Sequence, residues 1–365
     1  MRQIYDYNTE WSTLINISCH REFRFVSQRF IFCAFICNIL ALMIFMNYKP
    51  AFFYTLASNV RLMKQFILIA FLSVFLIGCK ETKPKDEKFH IVTTTSMITD
   101  LVKNIGGDKV VVEGLMGAGV DPHLYKASEG DVSKFSNADM ILYSGLHLEG
   151  KLVEVFEKMQ KQNIKTVAVS DALDKKDLIG STLFASNYDP HIWFDVNNWK
   201  LITVFVEKQL SVAMPEHKQF FETNAKLYLQ KLETLQQEVE AEIATLPEDQ
   251  RRLVTAHDAF NYFGKAYKFD VVGLQGLSTA TEAGVQDVQK TAAYIIDNKV
   301  KAVFIESSVP RRTVEALQAA VNSKNHDVKI GGTLFSDALG NPETPEGTYI
   351  GMFKFNVHTI VSSLK

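Results

Sequence analysis

Apolar positions follow two alternating patterns from Phe89 onward. Short β-branched runs, such as HIVTTT at 90–95 and KVVVEGLM at 109–116, have the composition of buried strands. A stretch with helical spacing of apolar residues lies between them at 96–107 and ends in two glycines. Six further strands are predicted on the same grounds within 136–145, 164–171, 251–257, 269–276, 300–308 and 328–336. Strand–helix alternation on this scale predicts an α/β fold with parallel sheets.

The longest helical pattern separates the first four predicted strands from the last four. Residues 217–246 contain no Gly or Pro, and one apolar stripe recurs at spacings of three and four: Tyr228, Leu232, Leu235, Val239, Ile243 and Leu246. The stripe is too short for the sustained heptads of a coiled coil, so it favours packing along two lobes. We therefore predict an N-terminal α/β lobe at 89–216, one long linking helix at 217–246 and a C-terminal α/β lobe at 247–365.

Composition narrows the class of protein. The chain has 365 residues, of which 47% are hydrophobic and 22% charged, so it can form two cores and is not intrinsically disordered. A nucleic-acid-binding protein would carry a basic excess, whereas the net charge here is −2. Residues 1–78 carry seven Lys and Arg against three Asp and Glu, and the remaining residues carry 32 against 38. A basic, apolar leader therefore precedes an acidic body.

The leader contains two apolar runs. The first, at 30–46, is 17 residues long and lies at the short limit for a membrane span. The second, MKQFILIAFLSVFLIGC, begins at Met63, and its Lys64 precedes a ten-residue apolar core. This is the layout of a secretory signal, which we place at 63–78. Residues 1–62 show no domain pattern, so we treat them as an extension and expect translation to begin at Met63.

All four cysteines lie in or at the end of this leader: Cys19, Cys33, Cys37 and Cys79. The LIGC sequence that ends at Cys79 resembles the bacterial lipobox, which implies cleavage before this cysteine and a lipid on its sulfur. An uncleaved anchor is the alternative, but a polar, Lys-rich tether at 79–88 favours the signal. The body has no disulfide and no thiolate metal site. We expect an extracytoplasmic protein, lipid-anchored to a bacterial membrane in the periplasm or at the cell surface.

Four residues of metal-ligand type follow predicted strands or end a long loop: His123, His191, His257 and Asp337. In parallel α/β sheets, ligands bind outside the carboxyl ends of the strands, where three of the four fall. Two come from each half of the body. The sequence therefore predicts a site in the cleft between the lobes.

The tripeptide Asp-Pro-His occurs twice, ending at His123 and at His191. Proline fixes its own φ and holds the preceding residue extended, and the aspartate is suited to local hydrogen bonds. Three imidazoles and a carboxylate suit Zn²⁺ or another first-row divalent ion better than Mg²⁺ or Ca²⁺. Each residue also fits an ordinary role, since His257 fits a helix start and Asp337 a helix cap.

Several segments resemble one protein family: GVDPHLYKAS, SGLHLEGK, DPHIWFD, TAHDAFNYFGKAY, FIESSVPRR, and LFSDALG followed by GTYIGMFKFNV. They resemble the metal-binding substrate-binding lipoproteins of ABC importers for zinc and manganese, which include the TroA, PsaA and ZnuA types. The resemblance extends over residues 89–365, in order. It implies two α/β lobes bridged by a rigid helix, and a buried ion held by His123, His191, His257 and Asp337.

The third ligand position bears on the choice of metal. Manganese-type members of this family often carry Glu there, whereas His257 in TAHDAF is similar to zinc-type and TroA-type members. Zinc-type members often have a His/Asp-rich loop before the second ligand, but residues 171–189 contain no histidine. The pattern is therefore mixed. Affinity does not identify the imported metal, because such a site binds Zn²⁺ more tightly than Mn²⁺ whichever ion the cell imports. The expected cargo is Zn²⁺ or Mn²⁺.

The resemblance implies a monomeric solute-binding lipoprotein, not an enzyme, that passes the ion to an ABC permease and its ATPase. We expect no nucleic-acid partner. One alternative is a zinc hydrolase, but H-E-x-x-H is absent, and Glu306 is the one candidate base that stands out. Another is an adhesin or a receptor for an organic solute, whose site would be lined by convergent aromatic residues. We assign Glu306 and His147 supporting roles near the ligands.

Overall fold

Eight strands form two parallel four-stranded sheets in the computed structural model, which describes residues 88–182 and 184–365. They are β1 (Phe89–Thr93), β2 (Val110–Gly114), β3 (Met140–Tyr143), β4 (Lys165–Ala168), β5 (Arg252–His257), β6 (Asp270–Gln275), β7 (Ala302–Glu306) and β8 (Lys329–Leu334). The order is β2-β1-β3-β4 in the first sheet and β6-β5-β7-β8 in the second. All eight predicted strands are confirmed. The signal at 63–78, the extension at 1–62 and Cys79 lie outside the described residues.

Nine α-helices accompany the strands in the described part of the chain. They are α1 (Ser96–Gly106), α2 (Glu129–Asn137), α3 (Val153–Lys161), α4 (Val196–Ala213), α5 (Lys218–Ala244), α6 (Asn261–Tyr267), α7 (Val285–Asp297), α8 (Arg312–Asn322) and α9 (Tyr349–Leu364). The predicted helix at 96–107 is confirmed as α1, which ends where Gly107 adopts a positive φ of 52°. Between Lys88 and Lys365, Leu183 aside, no helix combines the length and apolarity needed to cross a bilayer.

Helix α5 is the predicted long helix, and its 27 residues lie within the predicted 217–246. The predicted stripe is buried along its whole length. It packs against α1 of the N-terminal lobe, against α4, and against α9 of the C-terminal lobe. At its end the Arg251 guanidinium donates to the carbonyls of Ile243 and Leu246, which satisfies groups that a helix terminus leaves open. The prediction that this helix packs along both lobes is confirmed.

One apolar cluster, which we call the inner core, runs through both lobes and α5. It includes Ile91 of β1, Leu232 of α5, Phe304 of β7 and Phe353 of α9. Separate clusters lie under α2 and α3 in the first lobe and under α7 and α8 in the second. Loosely joined domains move as rigid bodies, whereas an extensive apolar interface resists such motion. The inner core therefore favours small tilts of the lobes over wide hinge opening.

Buried hydrogen bonds join the lobes beside the inner core. The Trp193 indole donates to the Ser336 carbonyl at 3.0 Å, and the Tyr349 hydroxyl donates to the Trp193 carbonyl at 2.7 Å. The backbone amide of Tyr349 in turn donates to the half-buried Asp100 carboxylate of α1 at 3.1 Å. These bonds hold the carboxyl ends of the two sheets in a defined relative position, which is where the predicted site falls.

Candidate metal centre

The structure brings all four predicted ligand residues together. His257 is the last residue of β5, and Asp337 follows β8 by three residues. His123 lies on the loop between β2 and α2, and His191 immediately precedes the 3₁₀ turn Ile192–Phe194 that leads into α4. One side-chain ligand atom from each of the four lies within 4.8 Å of the others, and all four residues are buried. The two lobes thus contribute two residues each.

The spacing of these atoms suits a small divalent cation. His191 Nε2 lies 3.3 Å from the Nε2 atoms of both His123 and His257. Asp337 places Oδ1 at 3.7 Å from His191 Nε2 and Oδ2 at 3.4 Å from His257 Nε2. An ion coordinated tetrahedrally at about 2.0–2.1 Å would place its ligands about 3.3 Å apart. Three imidazoles and a carboxylate therefore converge at the separations that a first-row divalent ion needs.

Asp337 supplies a buried negative charge. Burial alone would raise its pKa, but the imidazoles of His257, His123 and His191 outweigh burial and hold the pKa below its usual range. Oδ1 accepts no hydrogen bond from the described residues, while Oδ2 lies 3.4 Å from the Ser308 hydroxyl. A buried, ionised oxygen without a partner is unfavourable unless a cation or proton compensates it. The unpartnered oxygen fits a metal ligand.

His191 is oriented by the aspartate of its own Asp-Pro-His motif. Asp189 Oδ1 accepts hydrogen bonds from the backbone amide of His191 at 2.9 Å and from its Nδ1 at 2.8 Å. A carboxylate only accepts, so Nδ1 carries the proton and the Nε2 lone pair faces the centre. Asp121 similarly accepts from the backbone amide of His123 at 2.8 Å. The predicted local role of the aspartate is confirmed in both motifs.

His257 is oriented by Glu306 on the neighbouring strand. Val254 of β5 pairs with Val303 of β7, and the same register places His257 beside Glu306 at the carboxyl ends of the strands. Glu306 Oε1 accepts from the His257 backbone amide at 2.8 Å, and Oε2 from its Nδ1 at 2.5 Å. Burial disfavours the imidazolium, but Glu306 and then Asp337 overcome it and raise the His257 pKa well above 6.5. A metal ion would therefore replace the Nε2 proton of His257.

His123 is the outermost of the four. Its exposed fraction is 5%, against 0–1% for the other three. Burial and the charges of His191 and His257 lower the pKa of His123 to about 3, although the charge of Asp337 acts in the opposite direction. The imidazole is neutral at ordinary pH, as a ligand must be. It lines a cavity of about 290 Å³ with Phe184 and His147. His147 is exposed at this cavity, with its ring 6.4 Å from that of Phe184.

Three residues around the centre were not predicted: Asn261, Thr279 and Ser308. Asn261 donates to Asp189 Oδ2 at 3.0 Å, Thr279 donates to Asp121, and Ser308 lies beside Asp337. All three come from the C-terminal lobe. Asn261 follows His257 by four residues and was the only one of the three that a local pattern could have suggested.

Comparisons with known proteins agree on one family. Residues 91–363 match the family model described as ZnuA, zinc-uptake complex component A, periplasmic. The chain is 46% identical over 300 residues to the manganese-binding lipoprotein MntA of Bacillus subtilis (strain 168), covering 81% of this chain and 97% of MntA. It is 48% identical over 279 residues to the zinc-binding protein TroA of Treponema pallidum (strain Nichols), covering 76% and 90%.

Two further matches extend this result. The solved structure of the periplasmic zinc-binding protein TroA from Treponema pallidum superposes with a TM-score of 0.74 at 47% identity, covering 76% of this chain and 99% of that one. The iron ABC transporter substrate-binding lipoprotein MtsA of Streptococcus pyogenes serotype M1 is 34% identical over 307 residues, covering 82% of this chain and 97% of MtsA.

Proposed function

The chain belongs to the ZnuA family of zinc-uptake components, and from this premise we propose that it captures Zn²⁺ or Mn²⁺ outside the cytoplasm and delivers the ion to an ABC importer. The ion is the cargo, and no covalent bond is made or broken. MntA is named for manganese and TroA for zinc, so the proposal includes both ions. The nitrogen-rich ligand set binds Zn²⁺ more tightly than Mn²⁺, so the imported ion depends on which of the two is available to the protein.

One observation carries the proposal: three imidazole Nε2 atoms and a buried carboxylate converge from both lobes. We propose that His123, His191, His257 and Asp337 bind the ion. Asp189 and Glu306 support this assignment, because they fix the Nδ1 protons of two imidazoles and so direct Nε2 toward the centre.

Capture then proceeds as an exchange of a proton for a metal ion. Because the pKa of His257 is raised, its imidazole is protonated before the ion arrives, and the arriving ion displaces the Nε2 proton. His257 Nδ1 keeps its proton throughout and donates it in a hydrogen bond to the Glu306 carboxylate. His123, neutral and outermost, closes the ligand set from the N-terminal lobe. Lobe opening is restrained by the inner core, so release depends on local movement near His123.

The leader and the relatives support a proposed location. MntA and MtsA are both named lipoproteins. We propose that the mature chain begins at lipid-bearing Cys79 and that residues 79–88 tether a monomeric body to the outer face of a membrane. The permease and ATPase of an importer are its proposed partners. We retain 89–216, 217–246 and 247–365 as the proposed lobe and helix boundaries.

The alternative functions gain no support from the described site. Both oxygens of Glu306 accept hydrogen bonds from His257, so this carboxylate is not free to activate water as a hydrolase base. The relatives reported above are all named for metal binding or metal transport, and none is named as a hydrolase, adhesin or organic-solute receptor.

Metal analysis of protein isolated from its native host tests the proposal. We expect about one Zn²⁺ or Mn²⁺ per chain, and a higher melting temperature when either ion is added. His191→Ala should abolish both effects, while His326→Ala should change neither, because His326 lies beside the Val300 carbonyl outside the ligand set. Metal-free protein that neither ion stabilises would contradict the proposal.

A further inference from the structure

Two loops meet across the outer side of the candidate centre. The loop between β2 and α2 carries Asp121 and His123, and the loop between β6 and α7 of the other lobe carries Thr279. The Thr279 hydroxyl donates to Asp121 Oδ2 at 2.5 Å, joining residues 158 positions apart in the sequence. We propose that this hydrogen bond is a cross-cleft latch that sets how fast a bound ion leaves. The inference rests on the proposed function.

Asp121 is placed to transmit the contact to a ligand. Its two carboxylate oxygens serve different lobes: Oδ1 accepts from the backbone amide of His123 at 2.8 Å, and Oδ2 accepts from Thr279. Pro122 lies between Asp121 and His123 and fixes the backbone there, so the carboxylate and the imidazole move together. Asp121 is therefore a positioning residue for His123, and Thr279 positions Asp121.

The loop that carries Thr279 also covers the outermost ligand. Thr279 itself is buried, with 9% of its surface exposed. Its neighbours Ser278 and Ala280 line the 290 Å³ cavity that His123 also lines. An ion leaving this side of the centre must pass His123, because the other three ligand residues have exposed fractions of only 0–1%. The latch thus lies on the exit route.

The loop between β2 and α2, here called the outer loop, also approaches the opposite lobe at Gly119. Gly119, at a φ of 70°, approaches the Ser307 carbonyl, and a Cβ built on it would lie 3.4 Å from that oxygen. On the inner side, by contrast, Trp193 and Tyr349 tie the lobes together within the inner core. Breaking the Asp121–Thr279 bond should therefore free the outer loop while the lobes stay joined.

Stopped-flow release of Zn²⁺ into an excess of chromogenic chelator tests the latch on the mature full-length body. Thr279→Val keeps the shape of the side chain and removes the donor. Loss of a hydrogen bond to an ionised carboxylate should raise the release rate constant roughly ten- to hundredfold. The stoichiometry should stay at one ion, because the ligands are intact. Thr279→Ser should restore slow release, which a merely space-filling role would not predict.

Ser278→Ala provides the matched control. The Ser278 hydroxyl accepts only from the backbone amide of Ala280, so its loss should leave the release rate unchanged. Release from Thr279→Val within twofold of the parent rate would overturn the latch, and so would equal acceleration by Ser278→Ala. Failure of the parent protein to bind Zn²⁺ at all would instead defeat the proposed function, so the two failures are distinguishable.

Discussion

Replacing Glu306 with glutamine should weaken metal binding without touching a ligand. In the native site both Glu306 oxygens accept hydrogen bonds from His257, one from its backbone amide and one from Nδ1. Glutamine keeps the size of the side chain but offers one acceptor oxygen and one NH₂ donor. If the oxygen stays on the backbone amide, the NH₂ faces Nδ1, which must then accept. The neutral imidazole of His257 then carries its one proton on Nε2, the atom that should bind the ion.

The opposite orientation of the amide is also unfavourable. It keeps the oxygen on Nδ1 but points the NH₂ at the backbone N–H of His257, and leaving buried donors unpaired costs about 1–3 kcal/mol. Either orientation disturbs a residue that supports the ligand. Loss of such a partner typically lowers metal affinity about 10- to 100-fold, or roughly 1.4–2.7 kcal/mol. We expect Glu306→Gln to fall in this range.

The pH of the measurement determines how much of this loss is visible. Glu306 raises the pKa of His257, so at neutral pH protons compete with the ion for Nε2 in the parent protein. Removing the negative charge lowers that pKa and relieves part of the competition. The affinity deficit should therefore be smaller near pH 6.5 than near pH 9, where competition is weaker. Chelator-competition titration with Zn²⁺ at both values measures it.

Glu149→Gln is a matched control because Glu149 and Glu306 are equally buried, each 2% exposed. Glu149 accepts hydrogen bonds from the Thr94 hydroxyl and from the Ser144 and Gly145 amides, none of which belongs to a ligand residue. It should lose stability without losing affinity. If Glu306→Gln binds Zn²⁺ within twofold of the parent at pH 9, the argument from imidazole orientation is wrong.

Three further predictions concern protons and packing. Zn²⁺ binding at pH 7 should release about one proton, from His257, and the Zn²⁺ affinity should rise about tenfold per pH unit below the raised pKa of His257. Titration calorimetry in buffers of different ionisation enthalpy measures the number of protons released, and a value of zero would contradict the prediction. Leu235→Ala, in the inner core, should lower the free energy of unfolding by about 2–5 kcal/mol and leave one cooperative urea transition. Two transitions would show that the lobes unfold independently. Tyr349→Phe removes the donor to the Trp193 carbonyl and should cost about 1–3 kcal/mol at unchanged Zn²⁺ stoichiometry, as chemical denaturation with metal analysis can check.

Much of the fold was predictable because its signals are local. The eight strands and α5 follow from periodicities that span a few residues each. Helix α4 was not predicted, although it is 18 residues long. Leu201 and Val212 of this helix remain 55% and 76% exposed, so its apolar positions do not form one clean stripe. Its burial depends on contacts with α1 and α5 that no short window of sequence reveals.

The candidate site divides in the same way. The Asp-Pro-His repeat indicated His123 and His191 directly, and the ends of predicted strands indicated His257. The role of Glu306 was suggested, but its partner became clear only from the register of β5 and β7. Thr279 had no local signal, because its partner Asp121 lies on a different lobe and the bond depends on how two loops meet.

The inner core also has a consequence for the order in which the molecule is built. The Ser96 hydroxyl accepts from the Leu339 amide across 243 residues, and the Tyr349 amide reaches Asp100 across 249. Helix α9 emerges after the eight strands during synthesis, yet its Phe353 belongs to the same cluster as Ile91 of β1. Contacts this distant form slowly, because a long loop must close before any of them is gained. A nascent chain that lacks α9 would lack part of the inner core against which its N-terminal lobe packs. A truncation that removes α9 should therefore destabilise the N-terminal lobe as well.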